Sequence, residues 1–503
     1  MNKNLTEVVV LKLILSQDKG CIFKYNSHIQ TGIFLMKYFS RISVLALLLT
    51  LTFAATGYSQ GYEIEARIKG IRDSSLILGH YSRSSTQFVP KDTAKADAQG
   101  NIVFKGNADL PGGLYVILFP GNKNWIEFLY SGNERKFSMS TDTSDVIGQM
   151  QITGSKENEL FYSYQKELKN KSKQIEVIRK GEGSDVQKKL MASQTEFKSF
   201  RDKLLAENKD SFTAQILKMS GDPEIPEAPK LANGKTDSIW VFNYYKAHYW
   251  DDYNFADSRI MNTPFLEPRL ERYFKNLVVQ VPDSLIKDAD KLVAKTEANS
   301  DMKSFVVWYI TNQYENPKTV GTEALWVHMA EKYYLSGQMG ISDDTKRRIG
   351  EKVATLKPLL VNKTFPALSL TDPDGKKVSP QTMAANYTVL FFYAPTCGHC
   401  KEASPKLKEF YLKNKDKGIQ VMAISIEHDM KEWKSFINTY HLDGLVNGFD
   451  ALKQIDFNRK FDVVTTPTVY ILDKNKKIIA RKMPVEQLED FMNYYQNKVA
   501  KKI

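Results

Sequence analysis

The chain has 503 residues, a formal net charge of +12 and only three cysteines. So few cysteines in a chain of this length exclude the class of small secreted domains that are held together by disulfides. The basic residues are scattered through helical stretches and are not clustered with aromatic residues, so we expect solvated surfaces and no nucleic-acid partner. The length allows two or three domains.

The first 59 residues have the pattern of an upstream extension followed by an export signal. A short basic segment after Met36 precedes the apolar run 42–55, which is too short for an ordinary membrane span. We therefore expect translation to start at Met36 and the signal to be cleaved before Gln60. The mature protein is then expected to be soluble in the periplasm or cell envelope. The alternative is an uncleaved signal that anchors the chain in the membrane.

Two regions with different periodicities follow the leader. Residues 60–155 contain short runs of alternating apolar and polar residues between turn signals, which predict a β-rich domain, an antiparallel sandwich or barrel. Residues 156–357 carry apolar residues at three- and four-residue spacing and predict a mainly helical region. Within it, we interpret the aromatic segment 239–250 as packed helix core and not as the lining of a ligand groove.

Residues 361–503 alternate between strand and helix patterns, which predicts an α/β domain with helices on both faces of the sheet. Cys397 and Cys400 follow the apolar run 387–394, at the junction of a buried strand with a helix. Their spacing places both sulfurs on one face of the first helical turn. The unpaired backbone N–H groups at a helix start favour a thiolate at Cys397. The pattern predicts a disulfide that forms and opens reversibly.

The other cysteine, Cys21, lies in the segment that is expected to be removed. The mature chain would then keep only the pair Cys397 and Cys400. Since one close pair in a large exported protein does not act as a structural staple, we interpret the pair as reactive.

The motifs of this domain resemble those of TlpA/ResA-type thioredoxin domains. They are the segments that begin at Phe365 and Asp374, the sequence FFYAPTCGHCKE at 391–402, the helix proline Pro405 and the sequence TTPT at 465–468. The two upstream regions resemble the uncharacterised modules that precede such domains in some exported Gram-negative proteins.

The resemblance implies a fold and two roles. Residues 361–503 are expected to adopt the thioredoxin-like fold. Cys397 is expected to be the attacking thiol, exposed and with a lowered pKa. Cys400 is expected to be the resolving thiol, which releases the mixed disulfide.

The resemblance also implies that the neighbouring residues modulate the pair. Thr466-Pro467 is expected to be a cis peptide bond that leaves the backbone of Thr466 free to pair with an extended substrate segment. The Gly398-His399 dipeptide resembles that of protein disulfide isomerases, and a positive or hydrogen-bonding His399 would stabilise the thiolate and raise the reduction potential.

One position departs from the thioredoxin pattern. The strand position that usually holds a buried acid, six residues before the first cysteine, is Phe391 here. We interpret Glu402 and Glu427 as solvated carboxylates. Water or the substrate thiolate is therefore expected to exchange the proton with the second thiol.

The function implied is that of an exported thiol-disulfide oxidoreductase without a cofactor. Its partners would be protein or small-molecule thiols and disulfides, together with a membrane electron donor if it works as a reductant. One alternative is copper or zinc handling by Cys397, His399 and Cys400, although no second Cys or His pair follows at metal-ligand spacing. Another is an envelope binding protein with an incidental thioredoxin domain.

Overall fold

The computed structural model describes most of the chain from Gly61 onwards. The described ranges are 61–83, 88–122, 124–181, 185–317 and 319–500. The predicted start at Met36 and the predicted signal lie outside the described residues, as does Cys21. In the described ranges, no helix combines the length and the apolar character that crossing a bilayer requires.

The first described region consists of two four-stranded sheets around one core. Its strands are β1 (Tyr62–Lys69), β2 (Ser75–Tyr81), β3 (Phe88–Lys95), β4 (Asn101–Gly106), β5 (Gly113–Leu118), β6 (Trp125–Tyr130), β7 (Lys136–Asp142) and β8 (Gln151–Thr153). They run in the orders β4-β1-β7-β8 and β3-β2-β5-β6. Residues of β1 are alternately buried and more exposed, which is the period of a strand with one wet face.

The expectation of a purely antiparallel arrangement is wrong at one pair of strands. β1 and β7 are hydrogen-bonded in parallel, with Glu63 opposite Lys136 and Lys69 opposite Asp142. Parallel neighbours need a long connection, and here the whole of β2–β6 provides it. Pairing between strands so far apart in the chain leaves no local mark in the sequence.

The second region is helical. Its α-helices are α1 (Lys156–Arg179), α2 (Asp185–Glu207), α3 (Phe212–Met219), α4 (Ser238–His248), α5 (Leu266–Arg272), α6 (Pro282–Ala294), α7 (Ser300–Gln313), α8 (Glu323–Met329) and α9 (Asp343–Leu356). Short π-helical segments, Tyr273–Leu277 and Ala330–Leu335, follow directly after α5 and α8. One aromatic-rich core joins the elements between α3 and α9.

The interpretation of residues 239–250 as helix core is wrong for most of the segment. No residue of α4 is buried, and the side chain of Ile239 is 72% exposed. Tyr249 and Trp250, just after the helix, are buried in the core, and Tyr245 packs against it partly buried. Because α4 is apolar on every side, its pattern did not indicate which face would be buried.

The third region is an α/β domain with one seven-stranded sheet. Its strands are β9 (Leu370–Thr371), β10 (Lys377–Val378), β11 (Tyr387–Tyr393), β12 (Ile419–Ser425), β13 (Val446–Phe449), β14 (Thr468–Asp473) and β15 (Ile478–Arg481). They run in the order β10-β9-β13-β12-β11-β14-β15. Its α-helices are α10 (Gly398–Asn414), α11 (Met430–Thr439), α12 (Phe457–Phe461) and α13 (Leu488–Ala500). The predicted sequence of a β-rich, a helical and an α/β region is confirmed.

The central strand β11 is buried on both faces of the sheet. Phe391 and Tyr393 point into one core and Leu390 and Phe392 into the other. Each large apolar side chain that is buried in this way contributes about 1.5–3 kcal/mol to folding. This double burial explains why the strand is a continuous apolar run. It also fixes the end of β11, from which the two cysteines follow.

Charged residues join the helical region to the α/β domain. Arg481 on β15 is only 4% exposed and donates a hydrogen bond to the carboxylate of Asp462. The Nε atom of Arg481 lies 3.6 Å from Oε1 of Glu323 on α8. Because buried charges need partners of opposite sign, this cluster holds the helical region beside the loop that begins at Asp462.

Candidate active site

Cys397 occupies the point at which strand β11 gives way to helix α10. It is the N-cap residue of α10, with extended backbone angles of φ −72° and ψ 123°. The backbone N–H of Cys397 donates to the carbonyl oxygen of Ala394 at 3.0 Å, which closes the turn between strand and helix. The first backbone N–H groups of α10 therefore surround the sulfur, as the sequence pattern indicated.

A second chain segment meets the cysteine from the neighbouring strand. The thiol of Cys397 donates a hydrogen bond to the carbonyl oxygen of Thr466 at 3.3 Å. The peptide bond between Thr466 and Pro467 is cis. Strand β14 begins at the next residue and pairs antiparallel with β11, with Thr468 opposite Phe392. Residues 69 positions apart are therefore held in contact at the same edge of the sheet.

The two thiols differ in burial and in acidity. Burial tends to raise the pKa of Cys397. Hydrogen bonds from the side chains of Thr466 and Cys400, and from the backbone N–H groups of His399 and Cys400, outweigh burial, so that this pKa lies below its ordinary value of 9.0. Burial raises the pKa of the Cys400 thiol to about 12. Cys400 is fully buried, whereas Cys397 is partly exposed, and both are free thiols in the structure. One sulfur is therefore accessible and acidic, and the other is neither.

The two residues between the cysteines are exposed. Apart from its chain neighbours and the backbone of its own helix, no heavy atom lies within 4 Å of a Cβ atom added at Gly398, so this position faces open space. The imidazole of His399 makes no hydrogen bond to either sulfur in the described structure. The backbone N–H of His399 is directed at the sulfur of Cys397, and the His399 side chain is exposed.

The acidic residues near the pair differ from expectation at one position. Phe391 is completely buried and Glu402 is exposed, as the sequence suggested. Glu427, however, is partly buried, and its carboxylate accepts a hydrogen bond from the hydroxyl of Thr396, the residue before Cys397. Glu427 stays partly exposed, so the expectation of a solvated carboxylate is not overturned, but its hydrogen bond with Thr396 was not predicted. The pairing of the strands explains this contact. Because β11 and β12 are parallel neighbours, their carboxyl ends meet at one edge of the sheet, which brings Glu427 close to Thr396.

Metal binding has little support from the arrangement of donor groups. Within the described part of the chain, no three His, Cys, Asp or Glu side chains are grouped so that they could hold an ion. In particular, Cys400 is buried while the neighbouring His399 is exposed, so that the two point to different environments.

Three family models match the chain and divide it between them. Residues 360–497 match the Redoxin family, and residues 179–357 and 62–161 match two domains of unknown function, DUF5106 and DUF4369. The Redoxin match includes both cysteines and the cis-proline loop. The C-terminal domain belongs to the thioredoxin-like thiol-disulfide oxidoreductases. The expected thioredoxin-like fold of this domain is thereby confirmed.

Individual relatives of the oxidoreductase domain agree with this family. The thiol-disulfide oxidoreductase ResA of Bacillus anthracis is 27% identical over 146 residues, which cover 28% of this chain and 80% of ResA. ResA of Bacillus thuringiensis subsp. konkukian is 26% identical over 138 residues, which cover 26% of this chain and 76% of that protein.

Solved structures similar to this oxidoreductase also exist. A domain of a possible thiol-disulfide isomerase from Cytophaga hutchinsonii has 41% identity and a TM-score of 0.28, covering 29% of this chain and 98% of that domain. A thioredoxin-like protein from Bacteroides caccae has 19% identity and a TM-score of 0.45, and the match covers 55% of this chain and 98% of the Bacteroides caccae chain.

The different acidities of the two thiols predict selective alkylation. In the reduced oxidoreductase at neutral pH, iodoacetamide should modify Cys397 at least about tenfold faster than Cys400, because only the thiolate reacts and one pKa unit changes its fraction tenfold. The rate at Cys397 should rise with pH with its midpoint below pH 9, since its pKa is lowered from 9.0. Peptide mass spectrometry measures both sites.

The matched control is Cys397→Ser, in which Cys400 should remain unreactive at neutral pH because burial raises its pKa to about 12. Equal rates at the two cysteines, or a midpoint of the pH–rate curve above pH 9 at Cys397, would contradict the assignment of the accessible thiolate.

Proposed function

We propose that this chain is an exported thiol-disulfide oxidoreductase that exchanges disulfides with envelope proteins or small thiols through Cys397 and Cys400. The observation that carries the proposal is the contrast between the two thiols. Cys397 is partly exposed and has a lowered pKa, while Cys400, one helical turn further on, is buried with a raised pKa. A dithiol of this kind attacks with one sulfur and keeps the other protonated until it is needed.

The exchange then proceeds in two balanced steps. The Cys397 thiolate attacks one sulfur of a substrate disulfide, forms a new S–S bond with it and releases the other sulfur as a thiolate. Cys400 loses its proton, attacks the sulfur of Cys397 and releases the second substrate thiolate. The enzyme dithiol is oxidised to a disulfide and the substrate disulfide is reduced to two thiols. The released substrate thiolate can take the proton of Cys400.

The loop around the cis-proline supports a role in holding the substrate. The backbone N–H of Thr466 donates no hydrogen bond within the described part of the chain, and the carbonyl oxygen of Thr466 accepts only the thiol of Cys397. An extended substrate segment can pair with these groups as an added strand. Its disulfide would then lie against Cys397.

The direction of exchange in the cell depends on whether the partner protein returns the Cys397–Cys400 pair to its reduced or to its oxidised form. We expect the Gly398-His399 dipeptide to make the reduction potential of the Cys397–Cys400 pair less negative than that of thioredoxin. A positive or hydrogen-bonding side chain at His399 would favour the thiolate and so stabilise the reduced form. A reductive role requires an electron donor in the membrane. An oxidative or isomerising role requires a partner that restores the disulfide.

Mixed-disulfide trapping tests the roles of the two cysteines. The variant Cys400→Ser should form a covalent adduct with insulin that dithiothreitol removes, because the second step needs the thiol of Cys400. The wild type should reduce insulin without accumulating the adduct, and Cys397→Ser should fall to the uncatalysed rate. Non-reducing electrophoresis measures the adduct. An adduct on Cys400 in the Cys397→Ser variant would reverse the assignment.

The proposed location in the periplasm or cell envelope has its own test. When the full chain is expressed in a Gram-negative host, the mature protein should begin at Gln60 and be released with the soluble periplasmic fraction. N-terminal sequencing and fractionation measure this. A chain that keeps its leader and stays with the membrane would support the uncleaved anchor. An intact chain in the cytosol would contradict export.

A further inference from the structure

A cleft of about 890 Å³ lies between the helical region and the oxidoreductase domain. Helix α9 contributes Glu351 and Thr355 to one wall. Helix α12 and the loop after it contribute Arg459, Val464 and Thr465 to the opposite wall. The cleft is therefore composite, since neither region encloses it alone. Its volume is within the range of about 300–1,000 Å³ that is common for ligand-binding clefts.

The cleft is continuous with the active site along the chain. Thr465 lines the cleft, and the carbonyl oxygen of the next residue, Thr466, accepts the hydrogen bond from Cys397. Val464, two residues before Thr466, also lines the cleft and is 63% exposed. A strand added to the loop at Thr466 and continued past Val464 would therefore enter the cleft.

Unpaired backbone groups mark the path of such a strand. Neither Val464 nor Thr466 donates its backbone N–H to another group in the described ranges. Exposed backbone donors beside an exposed apolar side chain are the features by which an extended peptide is captured as an added strand. The unpaired N–H groups of Thr466 and Val464 lead from the sulfur of Cys397 towards the helical region.

The charges of the cleft fit a polypeptide better than a simple ion. Its described lining residues include five basic and five acidic side chains, so that it has no single sign. Several of these are already paired, as Lys352 is with Glu315 and Lys482 with Asp462, each at 2.7 Å. A small anion or cation would gain little here, whereas an extended chain with mixed side chains would find partners of both signs.

We propose that the cleft binds the polypeptide that flanks the target cysteine of a protein substrate, so that the helical region supplies half of the substrate site. The inference rests on the proposed function, because it concerns the same disulfide exchange. It assigns the oxidoreductase a preference for disulfides within extended polypeptides over small disulfides. Helix α9 acts in docking and does not touch the reacting sulfurs.

Filling the cleft tests the proposal. Two probes release the same thiopyridine when reduced full-length enzyme attacks them in a single turnover. One is the thiopyridyl disulfide of N-acetylcysteine amide, and the other is the same disulfide on a cysteine inside an extended peptide. Thr355→Trp should lower the ratio of the peptide rate constant to the amide rate constant about fivefold or more, where tenfold corresponds to about 1.4 kcal/mol.

The matched control is Ala354→Trp, an exposed neighbour on α9 that does not line the cleft. It should leave the ratio unchanged. Glu351→Trp, one turn earlier on the cleft face, should lower the ratio as Thr355→Trp does, and decides the question if the Thr355 variant does not fold. An unchanged ratio in the cleft variants, or an equal fall in Ala354→Trp, overturns the inference. If the wild type reacts with neither probe, the proposed function itself fails.

Discussion

The position at which helix α10 begins determines the chemistry of the site. Cys397 is the N-cap residue, but its side chain does not cap the helix as a serine or aspartate would. Backbone N–H groups of the first turn instead contribute to lowering the pKa of its thiol. Strand β11, which is buried from Thr388 to Tyr393, fixes this starting point. Any shift of the helix start by one residue would carry the sulfur away from the carbonyl oxygen of Thr466.

The difference between the sulfurs follows from the geometry of one helical turn against a sheet. Cys400 lies on the stripe of α10 that packs on the sheet, beside Leu407, and is removed from water. Cys397 precedes the first turn and remains partly exposed. Burial therefore holds one thiol protonated, while hydrogen bonds hold the other ready to ionise. The partly exposed sulfur lies at the edge of the sheet, in contact with the cis-proline loop.

The sequence was most informative where the structure is locally determined. The strand-to-helix junction at Cys397 depends on the apolar run before it, and the cis bond at Pro467 was implied by a resemblance. Contacts between segments distant in the chain left no such pattern. The hydrogen bond between Glu427 and Thr396, the parallel pairing of β1 with β7 and the composite cleft each depend on how separate elements pack. The exposure of α4 could not be predicted, because apolar residues lie on all sides of this helix and no polar face marks the side that meets water.

The central claim is that Cys397 and Cys400 form one reversible redox pair. The most direct measurement is the equilibrium of the full-length protein with reduced and oxidised glutathione, followed by quantification of the intramolecular disulfide. The account predicts a single two-electron transition with a potential less negative than the roughly −270 mV of thioredoxin. The absence of a Cys397–Cys400 disulfide at every glutathione ratio, with each cysteine instead carrying glutathione independently, would contradict it.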